Sequence, residues 1–252
     1  AEKVESLGVA KARTDGLTLL VLALLAGAFI SLGALFFITV VTDAKLGFGI
    51  ARLLGGLAFC LGLVLVVVAG AELFTGNNLL AMAWADGLIG TRDVVRNWLV
   101  VYAGNVIGCL GTVVLVLWGD IASLGGGGIG ETAIGIASAK AGLSAGEAFA
   151  RGVLCNMLVC LAVWLAMGGR SVTDKILAIL FPITAFVAIG LADRADAPNE
   201  PIASALEVAR ADRDSISTTL VAEGSDAAAE AIIDQDGHGF AVAQSLPTLP
   251  DG

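Results

Sequence analysis

Charged and aromatic residues are scarce in this chain of 252 residues, at 15% and 6%, whereas apolar residues make up 57%. The mean hydropathy of +0.90 excludes an ordinary soluble domain and is typical of a polytopic membrane protein. With few bulky rings and 33 glycines, close packing between helices is expected, and the pair Gly104 and Gly108 is predicted to pack against another helix. The predicted fold class is therefore all-α.

Groups that carry enzymatic chemistry are also few. The single histidine, His238, lies in an acidic stretch rich in glycine and alanine, where a solvated side chain without a specific role is expected. The cysteines lie in apolar runs and form no CxxC pair, which favours buried small side chains over a redox or metal site. They are Cys60, Cys109, Cys155 and Cys160. No nucleophile beside a base, metal-ligand cluster or phosphate loop is found, so neither an enzyme nor a cofactor is expected.

The net charge of -9 is concentrated in one part of the sequence. Residues 1 to 16 carry three acidic and three basic residues, and residues 17 to 190 carry eight of each. Residues 191 to 252 hold the remaining 12 acidic and 3 basic residues. We therefore expect a transmembrane domain at residues 1 to 192 and an acidic tail at residues 193 to 252, whose composition predicts disorder.

Several apolar stretches approach the length that crosses about 30 Å of hydrocarbon. They cover residues 17 to 41, 53 to 71, 98 to 118, 149 to 167 and 176 to 192. A short apolar piece at residues 79 to 85 cannot cross alone, and a glycine-rich loop is predicted at residues 119 to 131. No long apolar run follows residue 192, so a sixth span is not expected. Lysine and arginine are enriched in loops on the N-terminal side, which predicts a cytoplasmic N-terminus.

The stretch GAELFTGNN, residues 70 to 78, interrupts the second apolar run with a carboxylate, a hydroxyl and two amides. Irregular backbone is tolerated at membrane depth only where it lines protein or a water-filled space. Thr75, Asn77 and Asn78 are expected to bond the loose backbone, with Asn78 capping a short half-helix whose start attracts a small anion. A plain interfacial loop is the alternative. Glu72 argues against that alternative, because an ionisable group inside a span is usually functional or paired.

The chain also contains a weak internal repeat. LLAGAFISLGA at residues 24 to 34 resembles VLCNMLVCLAV at residues 153 to 163, and VVAGAE lines up with FVAIGLA when Gly70 is set on Gly190. Two copies of a three-helix unit would have opposite orientations in the membrane, as in the inverted repeats of many transporters and channels. The second copy is incomplete because no sixth span follows.

Four segments resemble the formate/nitrite transporter family, which also includes hydrosulfide channels. The segments are AELFTGNNLL, NWLVVYAGNVIG, AKAGLSAGEAFARGVLCNMLVCLAVW and KILAILFPITAFVAIG. The resemblance implies an aquaporin-like inverted repeat with a broken second helix, in a homopentamer whose protomers each have their own pore. It implies a multi-pass protein of the cell (inner) membrane that transports small monovalent anions, with formate ahead of nitrite. The implied partners are that anion and the lipid bilayer, and no nucleic acid.

The resemblance also implies which residues line the substrate pore. They are Phe59, Leu63, Leu73, Phe74, Thr75, Lys140, Asn156 and Phe186. Thr75 is implied as a hydroxyl donor to the anion, and Phe59 and Phe186 as aromatic constrictions on the two sides. Lys140 is implied near the outer vestibule, where its attraction offsets the cost of dehydrating an anion, although a solvated loop cation is the alternative. Asn156 is implied at the start of the fourth span, with a helix-packing amide as the alternative.

The resemblance ends near residue 190. The family's fifth span is broken by a Phe-Glu-His stretch, whereas Ala192 and Asp193 occupy the places of its glutamate and histidine. Such an abrupt change is what a shift of reading frame produces, which is a hypothesis. Three alternatives to formate transport stay open: a nitrite or hydrosulfide channel, a facilitator of neutral solutes, and a truncated, non-transporting subunit whose acidic tail recruits a partner.

Overall fold

The computed structural model describes residues 2 to 190, which form helices joined by turns. The helices are α1 (Glu2–Arg13), α2 (Gly16–Val41), α3 (Phe48–Ala69), α4 (Phe74–Asn77), α5 (Leu80–Ala85), α6 (Thr91–Trp118), α7 (Gly128–Ala141), α8 (Ala145–Gly168) and α9 (Val172–Ala188), with a 3₁₀ turn at Ile121–Ser123. The predicted all-α class is confirmed. The predicted tail at residues 193 to 252, with Asp193 and His238, lies outside the described residues.

Four helices, α2, α3, α6 and α8, are long and apolar enough to cross a membrane, and they correspond to the first four predicted spans. Three of them begin earlier than predicted, at residues 48, 91 and 145 instead of 53, 98 and 149. The first turns of α6 and α8 contain polar residues, which an apolar count omits but a helix accepts when its end is capped. In α3 the apolar count stops at Arg52, a residue that the helix buries. At α8 the Ser144 hydroxyl accepts the Glu147 backbone N–H, and the Glu147 carboxylate accepts the Ser144 N–H at 3.0 Å.

The fifth predicted span is displaced along the sequence. Helix α9 has 17 residues, as many as predicted, but it runs from Val172 to Ala188 instead of from residue 176 to residue 192. Gly190 has a φ of 76°, a left-handed conformation that does not continue a right-handed helix. Residues 191 and 192 lie outside the described part of the chain.

Helix α1 has no counterpart in the predicted spans. Its buried residues, Val4, Gly8 and Ala12, recur every four positions and therefore share one face of the helix. Ala12 packs in one cluster with Leu80 and Ala83 of α5. Acidic residues in the first turn and basic residues in the last turn suit the helix dipole. Helix α1 is thus a short amphipathic helix, which a search for long apolar runs does not detect.

The glycine-rich loop is also shorter than predicted. It ends at residue 127, because α7 begins at Gly128 inside the predicted loop of residues 119 to 131. The three preceding glycines, at positions 125 to 127, have φ values of 65°, 66° and 90°. Glycine adopts these left-handed angles without the steric cost that other residues meet.

Glycines bring α2 and α6 into backbone contact. A Cβ atom on Gly27 would lie 2.1 Å from the carbonyl oxygen of Asn105, and a Cβ atom on Gly108 would lie 2.1 Å from that of Leu24. A Cβ atom on Gly104 would lie 2.5 Å from the nearest atom of α2. The predicted packing role of Gly104 and Gly108 is therefore confirmed, and their partner is α2.

A second core contains apolar side chains of α3, α8 and α9. Leu63 of α3, Ala162 of α8 and Ile183 of α9 are almost completely buried in one apolar cluster. Helix α3 packs against α2 and α9, and α9 in turn packs against α8. The inverted-repeat relation between the two halves stays a prediction.

Replacing Gly27 with alanine is expected to push α2 and α6 apart and to lower the free energy of unfolding by about 1–3 kcal/mol, as overpacked cores do. Thermal unfolding of the purified protein in detergent measures this change. Gly111→Ala in α6 is the matched control, because a Cβ atom there meets nothing within 4 Å. Equal melting temperatures for the two variants would contradict the close contact between α2 and α6.

Candidate solute pathway

The predicted break in the second span begins where α3 ends. Gly70 has a φ of 70°, and the Ala71 N–H donates to the Val66 carbonyl at 2.9 Å, which closes the helix end. The chain then runs through residues 71 to 73 before the single turn of α4 and the short helix α5. The predicted interruption is confirmed. It leaves backbone N–H and C=O groups of residues 71 to 73 without hydrogen-bond partners within a helix.

Neighbouring helices supply hydrogen-bond partners for this loose backbone. The Glu72 N–H donates to the Leu22 carbonyl of α2 at 3.1 Å. On the other side, the Asn105 side chain of α6 accepts the Phe74 N–H at 2.9 Å and donates to the Glu72 carbonyl at 2.9 Å. The break is therefore bonded from two sides, as irregular backbone inside a membrane protein requires.

The prediction that polar side chains of the break bond its own backbone is wrong for Asn77 and Asn78. Asn78 has helical backbone angles of φ −61° and ψ −21°, and an N-cap normally has an extended conformation. Leu79, not Asn78, precedes α5, and α5 has no side-chain cap. Asn77 directs its amide to other side chains. The predicted anion site at the start of α5 also loses its basis, because α5 has only six residues.

Asn77 is part of a buried polar network with Lys11, Glu72 and Asn97. Lys11 Nζ lies 2.7 Å from Glu72 Oε2 and 2.9 Å from Asn77 Oδ1. Asn77 Nδ2 donates to Glu72 Oε2 at 2.7 Å and to Asn97 Oδ1 at 2.9 Å. Glu72, Asn77 and Asn97 are 6%, 1% and 0% exposed. The carboxylate inside the span is thus paired, as the sequence predicts, and its ion pair joins α1 to the break.

The Phe74 ring is held by aromatic residues of α6. Its centroid lies 6.3 Å from that of Trp98 and 5.4 Å from that of Tyr102, in edge-to-face arrangements. Trp98 Nε1 also donates to the Asn77 carbonyl at 3.1 Å. Positions 98, 102 and 105 share one face of a helix. A single face of α6 therefore contacts the break along its length.

The end of α1 is fixed beside this region. Arg96 of α6 donates to the Thr14 carbonyl at 3.0 Å. Asp15 caps α2, and its carboxylate accepts the Thr18 backbone N–H at 3.0 Å. That hydrogen bond stabilises the charged carboxylate and lowers the pKa of Asp15 below its ordinary value.

A cavity of about 570 Å³ lies between α1, α3, the break and the turn from α8 to α9. Its charged lining residues are Lys3, Lys11, Glu72, Arg170 and Lys175. Four cationic side chains against one carboxylate give the cavity a positive potential, which attracts anions. Its apolar lining includes Leu63 and Leu73, two of the residues implied for the pore.

The two aromatic residues implied for the pore contact each other. The rings of Phe59 and Phe186 have centroids 5.8 Å apart. Both belong to the apolar cluster that contains Leu63, and Phe186 is 6% exposed. The prediction of constrictions on two different sides is therefore wrong, because α3 and α9 cross where these rings meet.

The remaining residues implied for the pore lie at three places. The Thr75 carbonyl accepts a hydrogen bond from the Cys160 thiol at 3.4 Å, so the break also contacts α8. Asn156 lies one turn before Cys160, and its buried Oδ1 has no donor within the described residues. Lys140 is exposed in the last turn of α7. Leu73 and Thr75 therefore belong to the break region, whereas Lys140 lies on a separate helix.

Sequence reasoning missed the partners of the break: Lys11, Asn97, Trp98 and Asn105. The available signal was the pair Asn97 and Asn105 within NWLVVYAGN, since two amides eight positions apart in a largely apolar helix are costly unless they are bonded. Lys11 gave no such signal, because a lysine near a chain end is usually solvated.

Comparisons with known proteins show what the sequence is similar to. The sequence model described as formate/nitrite transporter matches residues 1 to 193. Formate channel FocA of Escherichia coli K12 is 41% identical over 193 residues, which are 75% of this chain and 67% of that protein. The uncharacterized transporter YrhG of Bacillus subtilis is 42% identical over 193 residues, or 75% and 72% of the two chains.

Two solved structures are also similar to this chain. A pentameric formate channel with formate bound has a TM-score of 0.64 and 37% identity, and the match covers 69% of each chain. An ion channel of the FNT family has a TM-score of 0.65 and 30% identity, with 76% of this chain and 78% of that chain covered.

Replacing Lys11 with methionine is expected to lower the free energy of unfolding by about 2–3 kcal/mol, because it leaves the buried Glu72 carboxylate without its cation. The double variant K11M/E72Q removes both charges and is expected to lose less. Unfolding measured for the two single variants and the double variant gives their coupling energy. If the loss of unfolding free energy in the double variant equals the sum of the losses in the two single variants, an energetic coupling between Lys11 and Glu72 would be contradicted.

Proposed function

The chain belongs to the formate/nitrite transporter family, and we propose that it conducts small monovalent anions, formate first among them. It is a multi-pass membrane protein, and the family consists of transporters and channels, not enzymes. Formate is proposed because several of the similar proteins are named formate channels. In our proposal each protomer has its own pore.

The observation that carries this proposal is the cavity lined by four cations and one carboxylate next to the broken helix. A positive cavity raises the local concentration of anions. The break then offers polar groups inside an apolar protein, where they replace part of the anion's hydration shell. A neutral solute gains nothing from this charge, so the cavity favours an anion over a neutral solute.

The proposed path continues from the cavity past Leu63 and Leu73, which lie on its wall. Apolar side chains strip water from a passing solute and make the bare charge costly. The Thr75 hydroxyl is proposed as the donor that offsets this cost. Phe59 and Phe186 are proposed to form the next constriction, since their rings pack together in the cluster that includes Leu63.

Lys140 and Asn156 are proposed to act at the other end of this path. Asn156 has a buried oxygen that lacks a donor among the described residues, as expected of a group that bonds a solute or water. Lys140 is exposed on α7, where it offers a positive charge to an arriving anion.

The assembly and orientation follow from the same membership. We propose a homopentamer in the cell (inner) membrane, because a similar solved channel is pentameric. We propose a cytoplasmic N-terminus, since Lys3, Lys11, Arg170 and Lys175 all lie on the side richer in basic residues. The cavity then opens toward the cytoplasm. Residues 1 to 192 form the proposed transporter domain, and residues 193 to 252 the proposed acidic tail.

Proteoliposomes that contain the purified chain are expected to take up formate down its gradient, and R170Q/K175Q is expected to reduce this flux a few-fold at low salt. The reduction should shrink at high salt, because ions screen the attraction. Lys45→Gln, an exposed cation that does not line the cavity, is the matched control. Formate uptake equal to that of protein-free liposomes would contradict the proposed function.

Replacing Thr75 with valine keeps the side-chain shape and removes the hydroxyl. Formate flux is expected to fall about ten-fold, the effect of losing one hydrogen bond to a charged group. Thr39→Val is the control, because the Thr39 hydroxyl bonds the Leu35 carbonyl of its own helix. An unchanged flux in T75V would mean that this hydroxyl does not contact the anion.

A further inference from the structure

The amide nitrogen and oxygen of the Asn105 side chain both bond to backbone groups. Its Nδ2 donates to the Ala23 carbonyl of α2 at 2.8 Å and to the Glu72 carbonyl at 2.9 Å, and its Oδ1 accepts the Phe74 N–H at 2.9 Å. A neutral amide offers two donor hydrogens and one carbonyl oxygen, and all three groups are engaged. Asn105 therefore joins α2, α6 and the break through one side chain.

Leu73 lies between the two residues of the break that Asn105 holds. The carbonyl of Glu72 and the N–H of Phe74 belong to the peptide groups on either side of the Leu73 residue. Leu73 itself lines the cavity and packs against the apolar cluster of α3, α8 and α9. The position of this side chain in the wall of the cavity thus depends on the Asn105 amide.

The backbone around Asn105 is fixed in turn by the contact between α2 and α6. A Cβ atom on Gly27 would lie 2.1 Å from the Asn105 carbonyl, so the two helices cannot shift past each other at this point. Ala23 lies one turn before Gly27 on the same face of α2, and its carbonyl is the one that Asn105 reaches. The amide is therefore held at a defined height relative to the break.

From these contacts we infer that Asn105 is a positioning residue that sets the size selectivity of the channel at Leu73. Asn105 does not line the cavity, so it acts on the solute only through the backbone of the break. The inference rests on the proposed function, because it assumes that solutes pass Leu73. Without the amide, the peptide groups on both sides of Leu73 lose these hydrogen bonds, and the Leu73 side chain can move. A constriction that moves admits larger monovalent carboxylates such as acetate.

The first test compares formate and acetate flux in proteoliposomes for wild type, Asn105→Ala and Asn105→Asp. The aspartate has the same shape but replaces the donor that faces two carbonyl oxygens, so it loses the bonds to Ala23 and Glu72. The ratio of acetate to formate flux is expected to rise at least about three-fold in both variants, in line with the loss of one or two hydrogen bonds. Because a ratio does not depend on the amount of folded protein, a parallel loss of both fluxes would overturn the inference.

Thr112→Val in the same helix is the matched control, because the Thr112 hydroxyl donates to the Gly108 carbonyl of its own helix. This variant removes a buried polar group from α6 without touching the break, and its flux ratio is expected to equal that of wild type. A shift in T112V as large as that in N105A would assign the effect to α6 in general and would overturn the role of Asn105.

The second test does not depend on transport. Hydrogen–deuterium exchange of the peptide that spans residues 71 to 78 is expected to be slow in wild type and at least about ten-fold faster in N105A, because the Phe74 N–H loses its acceptor and the Glu72 carbonyl loses its donor. Fast exchange at Phe74 in wild type would overturn the inference even if no variant folds. Slow exchange in wild type with no formate flux would instead refute the proposed function and leave the positioning role intact.

Discussion

A polypeptide that interrupts a helix inside an apolar protein must bond the backbone groups that it exposes, and this requirement organises the region around residues 70 to 78. The bonds come from neighbouring helices: Asn105 and Trp98 of α6, the Leu22 carbonyl of α2 and the Cys160 thiol of α8. Glycines let α2 and α6 approach closely enough for one amide to reach both α2 and the break. The geometry of the break therefore depends on how the helices pack, because a shift of α6 would leave peptide groups of the break unbonded.

Charge is arranged around the same region. Glu72 stays inside the protein because Lys11 and Asn77 bond its carboxylate, and this network fixes the short amphipathic helix α1 beside the cavity. The remaining cations of the cavity do not bond this carboxylate, and in our proposal they act on the solute. An anion proposed to arrive there meets a positive surface first, an apolar wall at Leu63 and Leu73 next, and the polar break last. In that order the anion is attracted at one place and loses water at another, so that no single place binds it too tightly for release.

The sequence predicted the long apolar helices and the place of the break, because both depend on local composition. It did not predict the partners of the break, since Asn105 and Lys11 are distant along the chain and their contacts depend on how the helices pack. The cap assigned to Asn78 was wrong because helical angles continue through that residue. The placement of Phe59 and Phe186 on two sides was wrong because the crossing of α3 and α9 brings their rings together. Resemblance pointed to individual residues, but only packing determines which of them meet.

Chemical accessibility along the break tests the central claim most directly. In a protein whose own cysteines are replaced, Leu73→Cys and Phe74→Cys are each exposed to a membrane-impermeant thiol reagent in proteoliposomes. The account predicts rapid labelling at position 73, which lines the charged cavity, and slow labelling at position 74, whose ring packs against Trp98 and Tyr102. Equal labelling at both positions, or faster labelling at position 74, would contradict the claim that α6 holds one side of the break while the other side faces the solute.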